Sequence, residues 1–255
     1  GGGMSVSGNS YVEVADSLFE NNTADYGAAI FVDGASIDLS AVEFNTNDSV
    51  YGGGGIRGEY SAEIALDSCT FTANGTSVSS GKGGAISLYD EVVLTDNGST
   101  FTDNFSATYG GAIVAESSSE LTLNASIFDG NYVDRTFLSP ISGGAIFGDD
   151  METFDIDSAE FTNNVAYLYG GAIHCNGMNT GQTMTVSNTL FSNNETESKR
   201  GGAIEATSGT SLTISNSVFD QNTSAEAGAA VSFYGVYLDQ DLIITDSTFT
   251  DNVTT

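Results

Sequence analysis

The residue types that most often do chemistry are scarce in this chain. There is a single histidine, His174, and it has no cysteine or second histidine beside it that would complete a metal site. A lone histidine directly after Ile173 is more typical of a structural residue than of a general base. We therefore expect His174 to have a structural role.

The two cysteines, Cys69 and Cys175, are far apart in the sequence. They fall in repeats about four apart, which at the spacing of stacked strands is about 19 Å. A disulfide needs Cα atoms within about 7 Å of each other. We predict two separate thiols.

Charged residues offer little for a polysaccharide-cleaving enzyme. A pectate-lyase-like reaction would use a basic residue near clustered acids, and the five basic residues look scattered along the chain: Arg57, Lys82, Arg135, Lys199 and Arg200. Acid pairs such as Asp149/Asp150 and Asp239/Asp241 could serve as the acid and base of a hydrolase. With 34 acidic residues, such pairs arise by chance, and we expect solvated loops.

Asparagine gives the most frequent motif for covalent modification. Nine sequons of the form Asn-x-Ser/Thr would carry N-linked glycans if the chain enters a eukaryotic secretory pathway. They begin at Asn21, Asn47, Asn74, Asn97, Asn104, Asn124, Asn194, Asn222 and Asn252.

Net charge excludes two classes of partner. The chain carries 34 Asp and Glu against five Lys and Arg, a formal charge of −29, which repels nucleic acid and anionic lipid headgroups. No apolar stretch is long enough for a membrane-spanning helix, so we expect no direct membrane insertion. The acidity is compatible with structural calcium, although no ligand residues can be assigned, and we expect no cofactor.

A repeat of about 28 residues organises the whole sequence. One motif is Phe-x-x-Asn, and its phenylalanines are Phe19, Phe44, Phe71, Phe101, Phe128, Phe161, Phe191, Phe219 and Phe249. The other motif is Gly-Gly-Ala-Ile, found at 83–86, 110–113, 143–146, 170–173 and 201–204, with variants in the remaining repeats. Alternating apolar segments such as Leu121-Thr122-Leu123 precede each Phe and predict short strands with one buried face.

These patterns predict a coil of parallel strands. Residues of the same type would stack about 4.8 Å apart, so the phenylalanines would form one internal ladder and the asparagines another. Six sequon asparagines coincide with that second ladder, and a buried asparagine cannot also carry a glycan. The segment between Asn and the glycines varies most and is longest at Tyr132–Ser142, which predicts a corner that accepts loops. Tyr26, Tyr51, Tyr109 and Tyr169 lie before the glycines, where we expect them to stack and close the corner.

The alternation of Gly-Gly-Ala-Ile with Phe-x-x-Asn resembles the polymorphic outer-membrane-protein (Pmp-like) repeat of chlamydial autotransporter adhesins. The resemblance covers essentially the whole chain and implies an all-β fold, a single-stranded right-handed parallel β-helix like that of pectin lyases, exposed on a cell surface and adhesive. We expect about nine rungs in one domain, 1–255, which is a slice or subunit of a longer array.

The function that these observations favour is an extracellular structural or adhesive stalk, or a filament subunit that stacks end to end on copies of itself or on further rungs of the same chain. A second hypothesis is a cell-surface adhesin passenger that binds a protein or glycan through the long Tyr132–Ser142 loop. A third, less favoured, is a polysaccharide lyase or hydrolase.

Overall fold

The computed structural model describes residues 1–134, 142–235 and 240–255. In these ranges the chain is a right-handed parallel β-helix, which confirms the predicted fold class. Strands and turns account for the secondary structure there, and no helix in them is long and apolar enough to cross a bilayer.

The described strands form four parallel sheets of nine strands each, so that each rung contributes one strand to every sheet. Rungs are numbered by their strand in the first sheet, which contains Met4–Ser7, Ile30–Asp33, Ile56–Glu59, Ile86–Tyr89, Ile113–Glu116, Ile146–Asp149, Ile173–Cys175, Ile204–Thr207 and Val231–Tyr234. The second contains Tyr11–Ala15, Ser36–Ser40, Glu63–Asp67, Val93–Asn97, Glu120–Asn124, Thr153–Asp157, Thr183–Ser187, Ser211–Ser215 and Leu242–Thr245.

The third and fourth sheets are built from shorter strands. The third contains Leu18–Glu20, Glu43–Asn45, Thr70–Thr72, Thr100–Thr102, Ile127–Asp129, Glu160–Thr162, Leu190–Ser192, Val218–Asp220 and Thr248–Thr250. The fourth contains Thr23–Tyr26, Asp48–Gly52, Gly75–Thr76, Phe105–Ser106, Tyr132–Val133, Val165–Ala166, Glu195–Thr196, Thr223–Ser224 and Val253–Thr254.

Single residues with left-handed backbone conformation turn the chain between sheets. Asn163 (φ +57°) and Ala125 (φ +53°) are two examples, and equivalent positions recur in the other rungs. At the Gly-Gly corner the requirement for glycine is steric. Gly110 has φ +59°, and a Cβ on it would lie 2.0 Å from the Ile113 carbonyl oxygen. A Cβ on Gly111 would lie 2.2 Å from the Gly144 carbonyl oxygen in the next rung. Gly110 therefore allows the tight turn within its own rung, and Gly111 lets the next rung approach closely.

The nine phenylalanines of the repeat form one stack inside the coil. Neighbouring rings are 4.5–5.3 Å apart between centroids and within 7° of parallel. From Phe44 to Phe219 the stacked side chains are fully buried. Stacked rings exclude water and pack at interior density, so this ladder is a major source of stability along the axis.

The repeat asparagines form a second internal ladder. Asn104 is typical: its Nδ2 donates to the Phe71 carbonyl oxygen at 2.9 Å and to Asn131 Oδ1 at 3.0 Å. Its own Oδ1 accepts from the backbone N–H and Nδ2 of Asn74. Each amide thus satisfies backbone and side-chain groups in adjacent rungs at once.

One residue breaks the apolar pattern of the interior. Asp96 occupies the position that Leu66 and Leu123 fill in the neighbouring rungs, and it is only 1% exposed. Ser126 Oγ donates to its Oδ2 at 2.5 Å, whereas its Oδ1 has no hydrogen-bond partner among the described residues. Burial raises the pKa of Asp96, and hydrogen bonds from Ser126 and Ser99 oppose that rise. The fourth rung therefore contains a buried acid in an otherwise apolar ladder.

Candidate binding face

The outer side of the first sheet combines aromatic rings with ion pairs. Its central row is the second position of each strand, here named the floor row: Ser5, Phe31, Arg57, Ser87, Val114, Phe147, His174, Glu205 and Ser232. The later part of this row, from Ser87 to Ser232, is buried although it points away from the core. Side chains from both edges of the sheet cover it.

Arg57 is held between two tyrosines on this face. Its guanidinium carbon lies 5.7 Å from the ring centroid of Tyr26 and 5.5 Å from that of Tyr89. Its Nε also donates to Glu59 Oε1 at 2.9 Å, and Nη1 donates to Ser87 Oγ. Planar guanidinium groups stack on aromatic rings and bind carboxylates at the same time, so the site uses both properties.

Lys82 and Arg200 repeat this arrangement in later rungs. Lys82 Nζ lies 5.3 Å from the Tyr109 centroid and 2.7 Å from Glu116 Oε1. The Arg200 guanidinium lies 5.6 Å from Tyr169 and 5.1 Å from Tyr234. Arg200 and Lys82 both occupy the position before the Gly-Gly corner, which they share with Tyr26, Tyr109 and Tyr169.

An aromatic cluster lies between Lys82 and Arg200 on this face. Phe147 packs on Tyr109 at 4.4 Å and contacts the edge of His174 at 5.3 Å, and Tyr169 covers His174 from the other side at 5.5 Å. Burial, with a smaller contribution from the Arg200 charge, lowers the pKa of His174 to about 3. His174 is therefore neutral at physiological pH and packs as an aromatic ring, in agreement with the predicted structural role.

Glu205 follows His174 in the floor row and is fully buried. Arg200 Nη2 lies 3.3 Å from its Oε1, and neither carboxylate oxygen has a well-formed hydrogen bond in the described residues. Burial raises the pKa of Glu205, while Ser232 and Arg200 lower it. The ion pair with Arg200 is the strongest compensation that this buried carboxylate has.

The prediction that the basic residues are scattered is wrong for three of them. Arg57, Lys82 and Arg200 lie on one face, because residues about 28 apart in sequence become neighbours when the chain coils. Lys199 lies beside this face and pairs with Glu226, and Arg135 is outside the described residues. Alignment of the residue that precedes each Gly-Gly motif would have revealed the shared position of Lys82 and Arg200.

The tyrosine prediction needs one correction. Tyr26, Tyr109 and Tyr169 share a register, but Gly52 occupies that register in the second rung, and Tyr51 lies one residue earlier. The extra glycine at 52–55 displaces it. The Tyr51 ring still packs on Tyr26, with centroids 5.1 Å apart.

The other candidate chemical groups stay apart from one another. Cys69 and Cys175 are both buried and free, which confirms the prediction of two separate thiols, and burial raises the pKa of each. Asp149 is half-buried and accepts from Asn176 Nδ2 at 2.9 Å, whereas neighbouring Asp150 is exposed. No group of three or more metal-binding side chains occurs within residues 1–134, 142–235 and 240–255.

Two predictions fall outside the described residues, wholly or in part. Asp239, of the pair Asp239/Asp241, is one. The long corner loop Tyr132–Ser142 is the other, since only Tyr132–Asp134 and Ser142 belong to the described ranges.

The sequons divide into two groups in the structure. Asn47, Asn74, Asn104, Asn194 and Asn222 are fully buried in the asparagine ladder, and Asn252 bonds to it from the last rung. A glycan on these six would require the ladder to open. Asn21, Asn97 and Asn124 are exposed on the outside of turns and strands and are the sequons that an enzyme could reach in the folded chain.

Comparison with known proteins supports the architecture. The family model described as "Right handed beta helix region" matches residues 1–128. The model of the Chlamydia polymorphic membrane protein repeat matches residues 158–176. No solved structure matches the chain.

Two curated proteins share part of this sequence. The probable autotransporter YfaL of Escherichia coli strain K12 is 34% identical over 112 residues, which are 41% of this chain and 9% of that protein. The metabotropic glutamate receptor-like protein P of Dictyostelium discoideum is 29% identical over 171 residues, which are 60% of this chain and 12% of that protein. The chain thus spans only about a tenth of the length of either relative.

Proposed function

The chain belongs to the family of right-handed β-helix regions, and from that premise we propose that it is a surface-exposed adhesive stalk of the kind found in autotransporter passengers. In this proposal the interior ladders keep the stalk straight and rigid. The outer faces, above all that of the first sheet, bind a partner without chemical conversion.

Rigidity is supported by the continuity of the ladders. The phenylalanine and asparagine ladders run through all nine rungs of the four sheets, and both contact each rung to the next. A solenoid of this kind gains stability from nearest-neighbour contacts and makes an elongated object with a large lateral surface. Such an object suits a spacer that holds a binding surface away from a cell.

The observation that most favours binding over catalysis is the state of the basic residues. A lyase needs a basic group free to take a proton, but each described Lys or Arg is paired with a glutamate: Arg57 with Glu59, Lys82 with Glu116, Lys199 with Glu226, and Arg200 with Glu205. His174 is buried with a lowered pKa. Arg57, Lys82, Arg200 and His174 are thus engaged in contacts on the outer face of the first sheet, and Lys199 is engaged in an ion pair beside it.

Exposure on a cell surface is supported by the two membrane-protein comparisons. One relative is named a probable autotransporter, and a polymorphic membrane protein repeat matches residues 158–176. We propose that this chain is likewise displayed outside the cell, attached to whatever anchors the longer protein.

Adhesion is tested with beads that carry the purified chain. We expect the beads to be retained by cells or extracellular matrix in a flow chamber. The control is a folded protein of similar negative charge without a β-helix. Equal retention of both kinds of bead would refute the adhesive function.

The enzymatic alternative has its own test. Incubation of the chain with acidic polysaccharides, with and without calcium, should release no unsaturated or reducing ends. Turnover that an Asp→Asn substitution abolishes would replace the adhesive proposal by a lyase or hydrolase. End-to-end association of copies stays a prediction, which sedimentation at increasing protein concentration would check.

A further inference from the structure

The surface of this protein has a large excess of negative charge that the chain itself cannot neutralise. Of its five basic residues, the four that the structure describes already have glutamate partners. With 34 acidic residues, most surface carboxylates therefore have no basic side chain of this protein near them. Such a field attracts cationic partners over distances of about a Debye length and repels anionic ones.

The outer face of the first sheet shows how it holds a cation. Its own Arg57, Lys82 and Arg200 each combine one or two tyrosine rings at 5.1–5.7 Å with a carboxylate at 2.7–3.3 Å. All five cation–π contacts among the described residues lie on this face. Tyrosine and glutamate side chains are thus positioned here in the geometry that binds guanidinium and ammonium groups.

Part of the same chemistry is exposed in the first four rungs. Tyr51 and Tyr89 are 45% and 43% exposed, and Tyr26 is 42% exposed. Beside them Asp33 is the register neighbour of Glu59, so two carboxylates lie on adjacent strands, and Arg57 pairs with Glu59. Like charges in register repel each other, and an added cation would relieve that repulsion.

We propose that this part of the outer face, formed by Tyr26, Tyr51, Tyr89, Asp33 and Glu59, binds an arginine- or lysine-rich segment of a partner protein. The proposal rests on the adhesive function and specifies the chemistry of its partner. The basic side chains of the partner stack on the exposed tyrosine rings and pair with the carboxylates, as Arg57 does within the chain. Negative charge over the rest of the molecule increases the association rate.

The test uses the purified 255-residue chain and a short arginine-rich peptide. A dye on the peptide allows binding to be followed by fluorescence anisotropy. We expect saturable binding that weakens at high salt. Tyr51→Ser should weaken it by about threefold, and Tyr51→Ser with Tyr89→Ser by about tenfold.

Tyr11→Ser is the matched control. Tyr11 is 58% exposed on the second sheet, and its hydroxyl donates to the carboxylates of Glu13 and Asp38, so it is also a tyrosine among acids. Both substitutions leave the net charge unchanged. Equal binding by all variants would mean that attraction is general and would overturn the assignment of the face. Circular dichroism melting checks that each variant is folded, and Tyr51 is suited to this because its side chain is largely exposed and packs on the exposed Tyr26 ring.

Outcomes with other ligands also decide the proposal. A neutral oligosaccharide that binds with the same dependence on Tyr51, while the basic peptide does not bind, would replace the basic partner by a glycan. Retention of beads in the flow chamber without peptide binding would leave adhesion standing and refute this partner class. Peptide binding without retention would support the face and refute adhesion.

Discussion

The inside of the third sheet and the outside of the first sheet differ in how their residue types repeat from rung to rung. Inside, one residue type repeats in each rung: phenylalanine stacks on phenylalanine from Phe19 to Phe249. Outside, the floor row changes at each step, through Arg57, Ser87, Val114, Phe147 and His174. Identical side chains stack efficiently at the rung spacing and build the coil. The outer face is free of that constraint, and it contains the five cation–π contacts and three of the four ion pairs found among the described residues.

The largest effect should follow from the loss of one ring of the inner stack. Phe128→Ala leaves a cavity between Phe101 and Phe161 and should lower the free energy of unfolding by about 3–5 kcal/mol. Phe105→Ala is the matched control, since Phe105 is half-buried outside the fourth sheet and, among the described residues, stacks on Tyr132 alone, at 5.8 Å. Urea denaturation of both variants measures the difference. An equal loss of unfolding free energy in the two variants would mean that the inner phenylalanine stack stabilises the fold no more than an outer ring does.

A substitution at Asp96 tests the role of the interior by raising the free energy of unfolding, whereas Phe128→Ala lowers it. Asp96→Leu restores the apolar ladder and should raise the free energy of unfolding by about 2 kcal/mol at neutral pH. Because burial raises the pKa of Asp96 in the folded state, its unfavourable contribution is small below the ordinary carboxyl pKa and grows as pH rises through the folded-state pKa.

Unfolding of the wild type and of Asp96→Leu from acid to neutral pH tests this sign. The gap between them should widen as pH increases. A gap that is constant with pH would mean that Asp96 has the same pKa in the folded and unfolded chains.

His174 should show the reverse dependence on pH. Its folded-state pKa of about 3 lies below the ordinary value of 6.5, so protonation favours the unfolded chain. The wild type should lose stability relative to His174→Gln as pH falls from 6.5 towards 3, whereas above 6.5 the difference between the two proteins should not change with pH. Thermal melts across that range measure the effect. Parallel curves for the two proteins would contradict the burial of this ring.

The sequons extend the comparison of inside and outside to glycosylation. This prediction concerns which asparagines carry glycans and not the stability of the fold. After expression through a eukaryotic secretory pathway, we predict glycans only at the exposed Asn21, Asn97 and Asn124. The six ladder asparagines should stay bare, because their amide groups bond to the next rung. Peptide mass spectrometry identifies the occupied sites. Glycans at Asn74 or Asn104 in folded protein would show that the ladder is open.

The interior was largely predictable because its physics is periodic. Phe-x-x-Asn and Gly-Gly-Ala-Ile recur at a fixed spacing, and a parallel coil is the arrangement that stacks each type on itself. The outer face was not predictable in the same way, because its contacts join different residue types across rungs. Arg57 touches Tyr26 and Tyr89, which are 31 and 32 residues away, and no motif links them. Asp96 was also missed, because a single acid in an alternating segment looks like a solvent-facing residue.

The central claim is that the interior makes the fold and the outer face of the first sheet makes the interaction. Its most direct test measures the unfolding midpoint and the affinity for the arginine-rich peptide in two variants, Phe128→Ala and Tyr51→Ser. We predict that Phe128→Ala lowers the midpoint and keeps peptide affinity at temperatures where it is folded, whereas Tyr51→Ser weakens binding and leaves the midpoint unchanged. Loss of affinity in both variants in proportion to their loss of stability would contradict the account.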